Sequence, residues 1–464
     1  MTPYRPLRTY GLVPLNHPPT DEWEPARVPI RRAKKATAKL LRRIERARDA
    51  GDRRQVRYLT DRYLRSYSVK LAATAKVNTI LKGGERAKSK ELIATARTID
   101  PFRPAGEQAH VVPIKKDNGS TRLLTLFGLK RSTEQRMVQQ LLCRLHRPDP
   151  RQHAMQEGED GRNEAAKAVL NAVDGDARWF IGLDITDYYP SIDTRRLHNL
   201  IPLPRRIIDN VICPPAMDDV RVRYNGLVDV LRLAEASQSG VSQGSRTSPI
   251  VADIVIKHIL DGLHCPATVI NYADDFGVMA RTKREVTTIA QSLVRALAHS
   301  PAGCLQLRNK VHGTARRVAD GFEFLGYHFR SRRGTVICQP ADKNLIKFNT
   351  KTCAYILEAE AGHAKALLRF RRYMKSWWSS FPLVRAHLDG NDMFFARHHV
   401  RELVRRRYRR TMPLAEIALE MDGENFAPLP PHTEIMRIAQ TIRERRNSRI
   451  GKRPTYRTDV PWWE

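Results

Sequence analysis

The sequence predicts an α+β chain, with helices at the start, a mixed helix-and-strand middle, and helices again towards the end. Three observations carry that reading. Apolar residues recur at helical spacing between Ala33 and Val77. Short apolar runs separated by Gly, Asn and Asp turn signals fill the stretch from His110 to Cys338. From about Lys343 to Met412 the pattern is helical again, and basic. Hydrophobic residues make up 41% of the 464, enough for a sizeable core, which excludes a wholly disordered chain. At roughly 150 residues per domain, the length suits about three units or one large fold with appendages.

Taken in order, residues 1–33 carry seven prolines and read as an extended arm. Ala33 to Ala50 reads as a helix with Leu40, Ile44 and Ala47 on one face, broken at Gly51-Asp52. A second helix is expected to run to about Val77, with Leu59, Tyr63, Tyr67 and Leu71 as a core-packing stripe rather than a base-stacking one. Lys82 to Lys90 is a polar loop. His110 to Lys116 and Thr121 to Leu126 form strands around Asp117-Asn118-Gly119, a hairpin signal. Arg131 to Leu145 is helical, and Trp179 to Ile185 is an apolar strand followed by Tyr188-Tyr189-Pro190. Residues 191–236 read as mostly helical. Ser248 to Leu260 is a helix with Pro249 at its favoured start. Ala267 to Tyr272 and Phe276 to Ala280 are strands flanking Ala273-Asp274-Asp275, and Gly321 to Phe329 with Thr335 to Cys338 form another strand pair. Pro428, Pro430 and Pro431 mark a linker before a short basic helix and a tail ending Trp462-Trp463-Glu464.

The 81 Lys and Arg outnumber the 49 Asp and Glu, a formal charge of +32. A polyanion partner would offset that self-repulsion and release counterions, so nucleic acid is the expected partner, ahead of an anionic membrane. The excess is clustered. Arg27 to Arg65 holds fifteen basic and four acidic residues, and Arg401 to Arg410 and Thr441 to Arg453 are similarly Arg-rich. Arg suits bidentate phosphate contacts. No run of about 18 apolar residues occurs, so no membrane span is expected. Met1 to Thr20 has no apolar core of a secretory signal, and the six scattered cysteines form no CxxC pair. A reduced, cytoplasmic protein is the expectation.

Two sites place carboxylates at the ends of apolar strands: Asp184 in Phe180 to Ile185, and Asp274-Asp275 in Asn271 to Phe276. Either alone reads as ordinary turn chemistry. Together they match what a two-metal phosphoryl transfer needs, hard oxygen ligands converging from separate strands.

These residues carry a resemblance. Tyr272-Ala273-Asp274-Asp275 resembles the YxDD box of reverse transcriptases. Lys115 to Arg122 resembles the first fingers motif, and Asp184 to Ile192 (DITDYYPSI) the block with the first catalytic aspartate. Gly240 to Ile254 (GVSQGSRTSPIVADI) resembles the QG…SP block, and Phe324-Leu325-Gly326-Tyr327 the primer grip. All five stand in the family's order over about residues 110–330. Residues 41–77 resemble the N-terminal extension of group II intron enzymes. Departures include the polar Ser245-Arg246-Thr247 and Asp253, where many relatives carry Asn. The retron-specific Val-Thr-Gly element and a C-terminal Cys/His endonuclease pattern are missing.

The resemblance implies a right-hand polymerase with fingers, an antiparallel-sheet palm and a helical thumb, preceded by a helical extension. The expected division is an arm over 1–33, the extension over 34–100, fingers and palm over 101–340, the thumb over 341–420 and a basic tail over 421–464. It implies that Asp184, Asp274 and Asp275 ligate two Mg²⁺ ions, with Mn²⁺ as an alternative. It implies that Lys115, Lys116 and Arg122 clamp the triphosphate, that Gln243 and Gly244 line the nucleotide site, and that Tyr189 excludes a 2′-hydroxyl. Phe324, Leu325, Gly326 and Tyr327 would then position the primer end. The implied activity is RNA-directed DNA synthesis, with an RNA template, dNTPs and a DNA product. A dedicated non-coding RNA in phage defence is the expected setting, and an intron maturase is the alternative. An RNA-dependent RNA polymerase is disfavoured by Tyr189. Oligomerisation or a protein partner is left open.

Overall fold

The computed structural model describes residues 27–80, 89–115, 119–155, 161–223, 230–263, 268–309, 315–332 and 335–344, with scattered positions between 347 and 383. The first helices are α1 (Arg27–Asp49), α2 (Arg53–Arg65), α3 (Tyr67–Asn78) and α4 (Ser89–Thr98). Strands β1 (Ala109–Lys115) and β2 (Thr121–Leu126) precede α5 (Leu129–Leu145) and α6 (Gly161–Asp174). Then come β3 (Trp179–Ile185), the single turn α7 (Tyr188–Ser191), α8 (Arg205–Ile207), β4 (Val220–Val222), α9 (Val230–Ala236) and α10 (Ser248–Asp261). The hairpin β5 (Thr268–Tyr272) and β6 (Asp275–Ala280) leads to α11 (Lys283–Ala298), β7 (Leu307–Asn309) and β8 (Arg316–Arg317). The last described strands are β9 (Phe322–Phe324), β10 (Tyr327–Arg332) and β11 (Thr335–Pro340). Contacts divide the chain into two units. One holds Met1–Gln156, Asp184–Pro266 and Gln291–Arg308; the other holds Glu157–Leu183, Ala267–Ala290 and Asn309–Glu464.

In the first unit, α1 buries Ala33, Thr37, Leu41, Ile44 and Ala47 and leaves Arg31, Arg32, Lys34, Lys35, Arg42, Arg43 and Arg46 exposed. The stripe uses Leu41, with Leu40 only half-buried. The helix begins six residues before the expected Ala33 start, because Pro29 falls in its first turn, where the missing N–H would have no helical partner. The expected second helix is two helices. Ser66 is extended (φ −68°, ψ 120°) and its N–H goes to the Tyr63 carbonyl, which ends α2. Leu59, Tyr63 and Leu71 are buried as core, and the Tyr63 hydroxyl donates to the Met137 carbonyl of α5 at 3.2 Å. Of the expected helical stretch 191–236, residues 194–219 form short turns of 3₁₀, α and π type, Val220–Val222 is the strand β4, and Val230–Ala236 is the helix α9.

Gly128 caps the start of α5, and the carboxylate of Glu107 accepts from the N–H groups of Lys130 and Arg131. That carboxylate occupies the space a Cβ on Gly128 would need. The first turns of α5 bury Arg131, Ser132, Thr133, Glu134 and Gln135. Burial pushes the Glu134 carboxyl up to about 8.

The second unit is built on the β5–β6 hairpin, with β6 next to β3 and β8 pairing with β3 at Trp179 and Phe180. Strands β9, β10 and β11 form a separate antiparallel sheet. Phe180 stacks on Phe322 at 3.9 Å, and Phe322 on Phe329 at 5.1 Å. Ala165, Ala166, Val169 and Leu170 of α6 pack into this aromatic core, together with Ile270, Met279 and Cys338. Trp377 is half-buried against Phe381, ring centroids 5.0 Å apart, and both pack on the same core.

The expected single strand over Gly321–Phe329 is a hairpin. Leu325 (φ 50°) and Gly326 (φ 78°) both take left-handed backbone, which reverses the chain between Phe324 and Tyr327. No described helix is long and apolar enough to cross a membrane. Most of the expected Lys82–Lys90 loop, Lys116 to Asn118, Trp378, nearly all of the expected thumb and the whole 421–464 tail lie outside the described residues.

Candidate active site

Asp184 is the penultimate residue of β3 and is half-buried. The chain then turns through Asp187, which takes left-handed backbone (φ 43°) at the start of α7. This kink directs two consecutive tyrosines differently. Tyr188 is buried, and its hydroxyl donates to the Ala252 carbonyl of α10 at 2.5 Å. Tyr189 is half-buried beside it, ring centroids 5.9 Å apart.

The loop before α10 wraps this segment. The N–H of Val241 donates to the Tyr189 carbonyl at 3.0 Å. Gly240 (φ 67°) lies where a Cβ would overlap that same carbonyl oxygen. Two residues further, the Gln243 carbonyl accepts from the Thr125 N–H of β2 at 2.7 Å. Gly244 (φ 107°) lies against the Thr125 carbonyl, and a Cβ there would also meet Leu124 Cδ1 at 3.0 Å. The Gln243 side-chain Oε1 is buried without a hydrogen-bond partner among the described residues. The polar Ser245-Arg246-Thr247 are a built turn. Ser245 and Thr247 hydroxyls are 2.8 Å apart, Ser248 Oγ donates to the Ser242 carbonyl at 2.7 Å, and the Arg246 N–H reaches Gln135 Oε1 at 3.4 Å. Asp253 is buried with a carboxylate oxygen 2.7 Å from His146 Nε2, while its carbonyl accepts from Gln152 Nε2 at 2.8 Å. An Asp with a buried imidazole beside it gains a charge-assisted partner that an Asn would lack.

The β1–β2 register decides which cations share a face. Ile114 opposes Arg122 and Lys115 opposes Thr121. Directly opposed residues share a face and neighbours alternate. Arg122 therefore lies on the face of Leu124, the side that meets Gly244, and Lys115 lies on the other. That other face carries Val111 and Leu123, which pack with Val220 and Ala234. Of the expected triphosphate clamp, Arg122 is on the loop side, Lys115 is not, and Lys116 lies outside the described residues.

In the second unit, Tyr272 and Asp275 close the β5–β6 hairpin around Ala273-Asp274. Ala273 takes φ 54°, a conformation that costs an L-residue. Asn271, fully buried, holds it there. Its Nδ2 donates to the carbonyls of Ala273 at 3.0 Å and Asp275 at 3.2 Å. Asp274 is exposed and Asp275 half-buried, so the turn presents two adjacent carboxyl groups. Asn271 is a site residue that sequence reasoning missed. A buried Asn in an otherwise apolar strand, directly before the box, was its signal.

Phe324 packs on the same strand that carries Asp275. A Cβ on Gly277 would meet its ring at 3.1 Å. Phe324 and Tyr327 are buried, the latter bonded to Asn163, so only Leu325 and Gly326 form the tip of the expected primer grip. The structure thus brings Tyr189, Gln243, Gly244 and the Arg122 face together in the first unit, where Asp184 also falls. It brings Asp274, Asp275 and Phe324 together in the second. Among the described residues, no three His, Cys, Asp or Glu side chains are gathered as a metal site. The donor chemistry of Asp184, Asp274 and Asp275 nevertheless fits a hard divalent cation, which takes carboxylate oxygen.

The mixed helices and antiparallel sheets fit a nucleic-acid polymerase fold of the right-hand class, to which the family match points. Within that class the sequence points to one kind: residues 114–329 match the family described as reverse transcriptase (RNA-dependent DNA polymerase). Domains of this family use divalent metal ions. No curated protein matches the chain. Among solved structures it is similar to apo telomerase from Candida tropicalis truncated from its C-terminal domain, at 13% identity and TM-score 0.35, covering 52% of this chain and 56% of that one. It is also similar to the RNA-dependent RNA polymerase of bacteriophage phi12, at 12% identity and TM-score 0.34, covering 68% and 49%. The chain thus spans about half the length of each, and the assignment rests on the family match alone.

Proposed function

We propose that this protein copies an RNA template into complementary DNA, joining dNTPs to a primer 3′-hydroxyl. The observation that carries the reading is the reverse transcriptase match over 114–329, within which the Asp184 strand end and the Asp274-Asp275 turn both fall. In this reading fingers and palm occupy 101–340 and the thumb 341–420. Asp184, Asp274 and Asp275 would be the carboxylates that hold two Mg²⁺ ions, which would supply Lewis-acid activation of the 3′-hydroxyl and neutralise the leaving pyrophosphate. The chain's own residues position the reactants. Arg122 contacts the triphosphate, Gln243 and Gly244 line the nucleotide, Tyr189 abuts its sugar, and the Leu325-Gly326 tip holds the primer end. Exposed arginines of α1 and α2 suit the RNA backbone.

A dedicated non-coding RNA serving phage defence is the narrower form of this reading, and it is supported only by the resemblance of residues 41–77 and of the five motifs. Asp274→Ala is expected to abolish dNTP incorporation while leaving RNA affinity within about twofold, since base and phosphate contacts lie elsewhere. Retained synthesis would reject the metal assignment. Sequencing the nucleic acid bound to wild type and to Asp274→Ala tests the narrower form. One defined RNA in both, with complementary DNA only in wild type, is the expected result; heterogeneous RNA in both would reject it.

A further inference from the structure

We infer that Tyr188 and Gly240 are positioning residues for sugar selection, holding the main chain of Tyr189 from two sides. The inference rests on the reading of Tyr189 as the residue against the sugar 2′ position. Steric exclusion of one hydroxyl is steep in distance, so the excluding ring must be fixed to a fraction of an ångström. Tyr189 sits on a single helical turn, which cannot provide that stiffness by itself.

The structure supplies it from outside. On one side the Tyr189 carbonyl accepts from Val241 N–H at 3.0 Å and is seated in the space left by the missing Cβ of Gly240. That glycine also needs its left-handed φ of 67°, so neither requirement is met by another residue. On the other side the preceding residue, Tyr188, is buried and tied through its hydroxyl to the Ala252 carbonyl at 2.5 Å. Ala252 is itself fixed, because the adjacent Asp253 is held through its carboxylate by His146 and through its carbonyl by Gln152. The strut therefore runs from the end of α5 through α10 to Tyr188, with the Gly240 seat opposing it. Neither residue touches the reacting atoms in this reading; both act through Tyr189.

The test is the ratio of NTP to dNTP incorporation, measured as relative kcat/KM on one RNA template and primer. A general loss of folding lowers both rates and leaves the ratio unmoved. Tyr188→Phe, which keeps the ring and deletes the strut, is expected to raise relative NTP use by about threefold to tenfold, the scale of one lost buried hydrogen bond. Gly240→Ala is expected to raise it further. Tyr63→Phe deletes a comparable tyrosine-to-carbonyl bond in the N-terminal helices and is expected to leave the ratio as in wild type. Tyr189→Ala separates the two readings. If it raises NTP use while Tyr188→Phe and Gly240→Ala do not, the positioning inference is overturned and the gate stands. If Tyr189→Ala leaves the ratio unchanged, the gate reading falls and the inference with it. Should Gly240→Ala fail to fold, Tyr188→Phe decides alone.

Discussion

Two hairpin turns of the second unit solve the same problem in opposite ways. Each reverses the chain in two residues, and each is braced by an asparagine side chain. At Leu325-Gly326 both residues take positive φ, the combination that matches strand twist, and a glycine fills one position. Its carbonyl accepts from Ala341 N–H at 2.9 Å and from Asn344 Nδ2 at 2.8 Å. The flanking Phe324 and Tyr327 are buried core. At Ala273-Asp274 only Ala273 is left-handed, no glycine relieves it, and the flanking positions are Tyr272 and Asp275. In the first turn a glycine suits one left-handed position, while Leu325 at φ 50° carries the same L-residue cost as Ala273. The second has no glycine at all and presents carboxylates, and Asn271 holds its strained residue through two carbonyls. Local strain retained where carboxylates are presented is the pattern expected of a functional turn.

The largest expected effect breaks that compensation. Asn271→Ala removes the donor to two carbonyls, about 1–3 kcal/mol of buried hydrogen bonding. The loss falls on the geometry of Asp274 and Asp275. We expect kcat for dNTP addition to drop by at least about tenfold, with a smaller change in KM, because positioning of the reacting groups is lost rather than ground-state binding. Steady-state kinetics with saturating primer-template would show it. A fall confined to stability, with kcat intact in the folded fraction, would make Asn271 an ordinary core amide.

What the sequence showed and what it hid follow from the same contrast. The β3, α10 and β1–β2 elements were legible because their apolar runs and turn signals are local. So were the five motif blocks, which depend on residue type and order. The break at Ser66 was not, because Tyr63, Tyr67 and Leu71 keep helical spacing across it. Nor was the hairpin hidden in Phe324 to Tyr327, because leucine gives no warning of left-handed backbone. The polar first turns of α5 invert the burial rule altogether. Arg131 bonds the Cys213 carbonyl, Gln135 meets the Arg246 N–H, and Glu107 caps the helix, all through partners distant in sequence. Hydrophobic periodicity cannot see side chains buried for their hydrogen bonds.

An intermediate effect is expected at the other turn. Gly326→Ala forces an L-residue to φ 78° and brings its Cβ within 2.8 Å of Asn344 Nδ2, displacing the brace. Stability should fall by about 1–3 kcal/mol. Because Gly326 lies in the tip assigned to the primer end, the KM for primer should rise more than kcat falls. Urea unfolding with parallel activity assays separates the two quantities. If kcat falls here as far as in Asn271→Ala, the two turns do not differ in kind.

The smallest effect is the most specific. Ala273→Gly removes the Cβ that makes φ 54° costly but adds freedom to the unfolded chain, so the two terms oppose. The net change in stability should lie within about 1 kcal/mol. Its value lies in combination. If Asn271 serves to hold a strained Ala273, the cost of Asn271→Ala should shrink by about 1 kcal/mol once Ala273→Gly is present, since no strain remains to be held. Additive effects would mean that Asn271 bonds a turn that needs no holding. Coupling, by contrast, would show that the carboxylate-bearing turn is kept in a conformation its own residues resist, and that a buried side chain one residue before the box is what keeps it there.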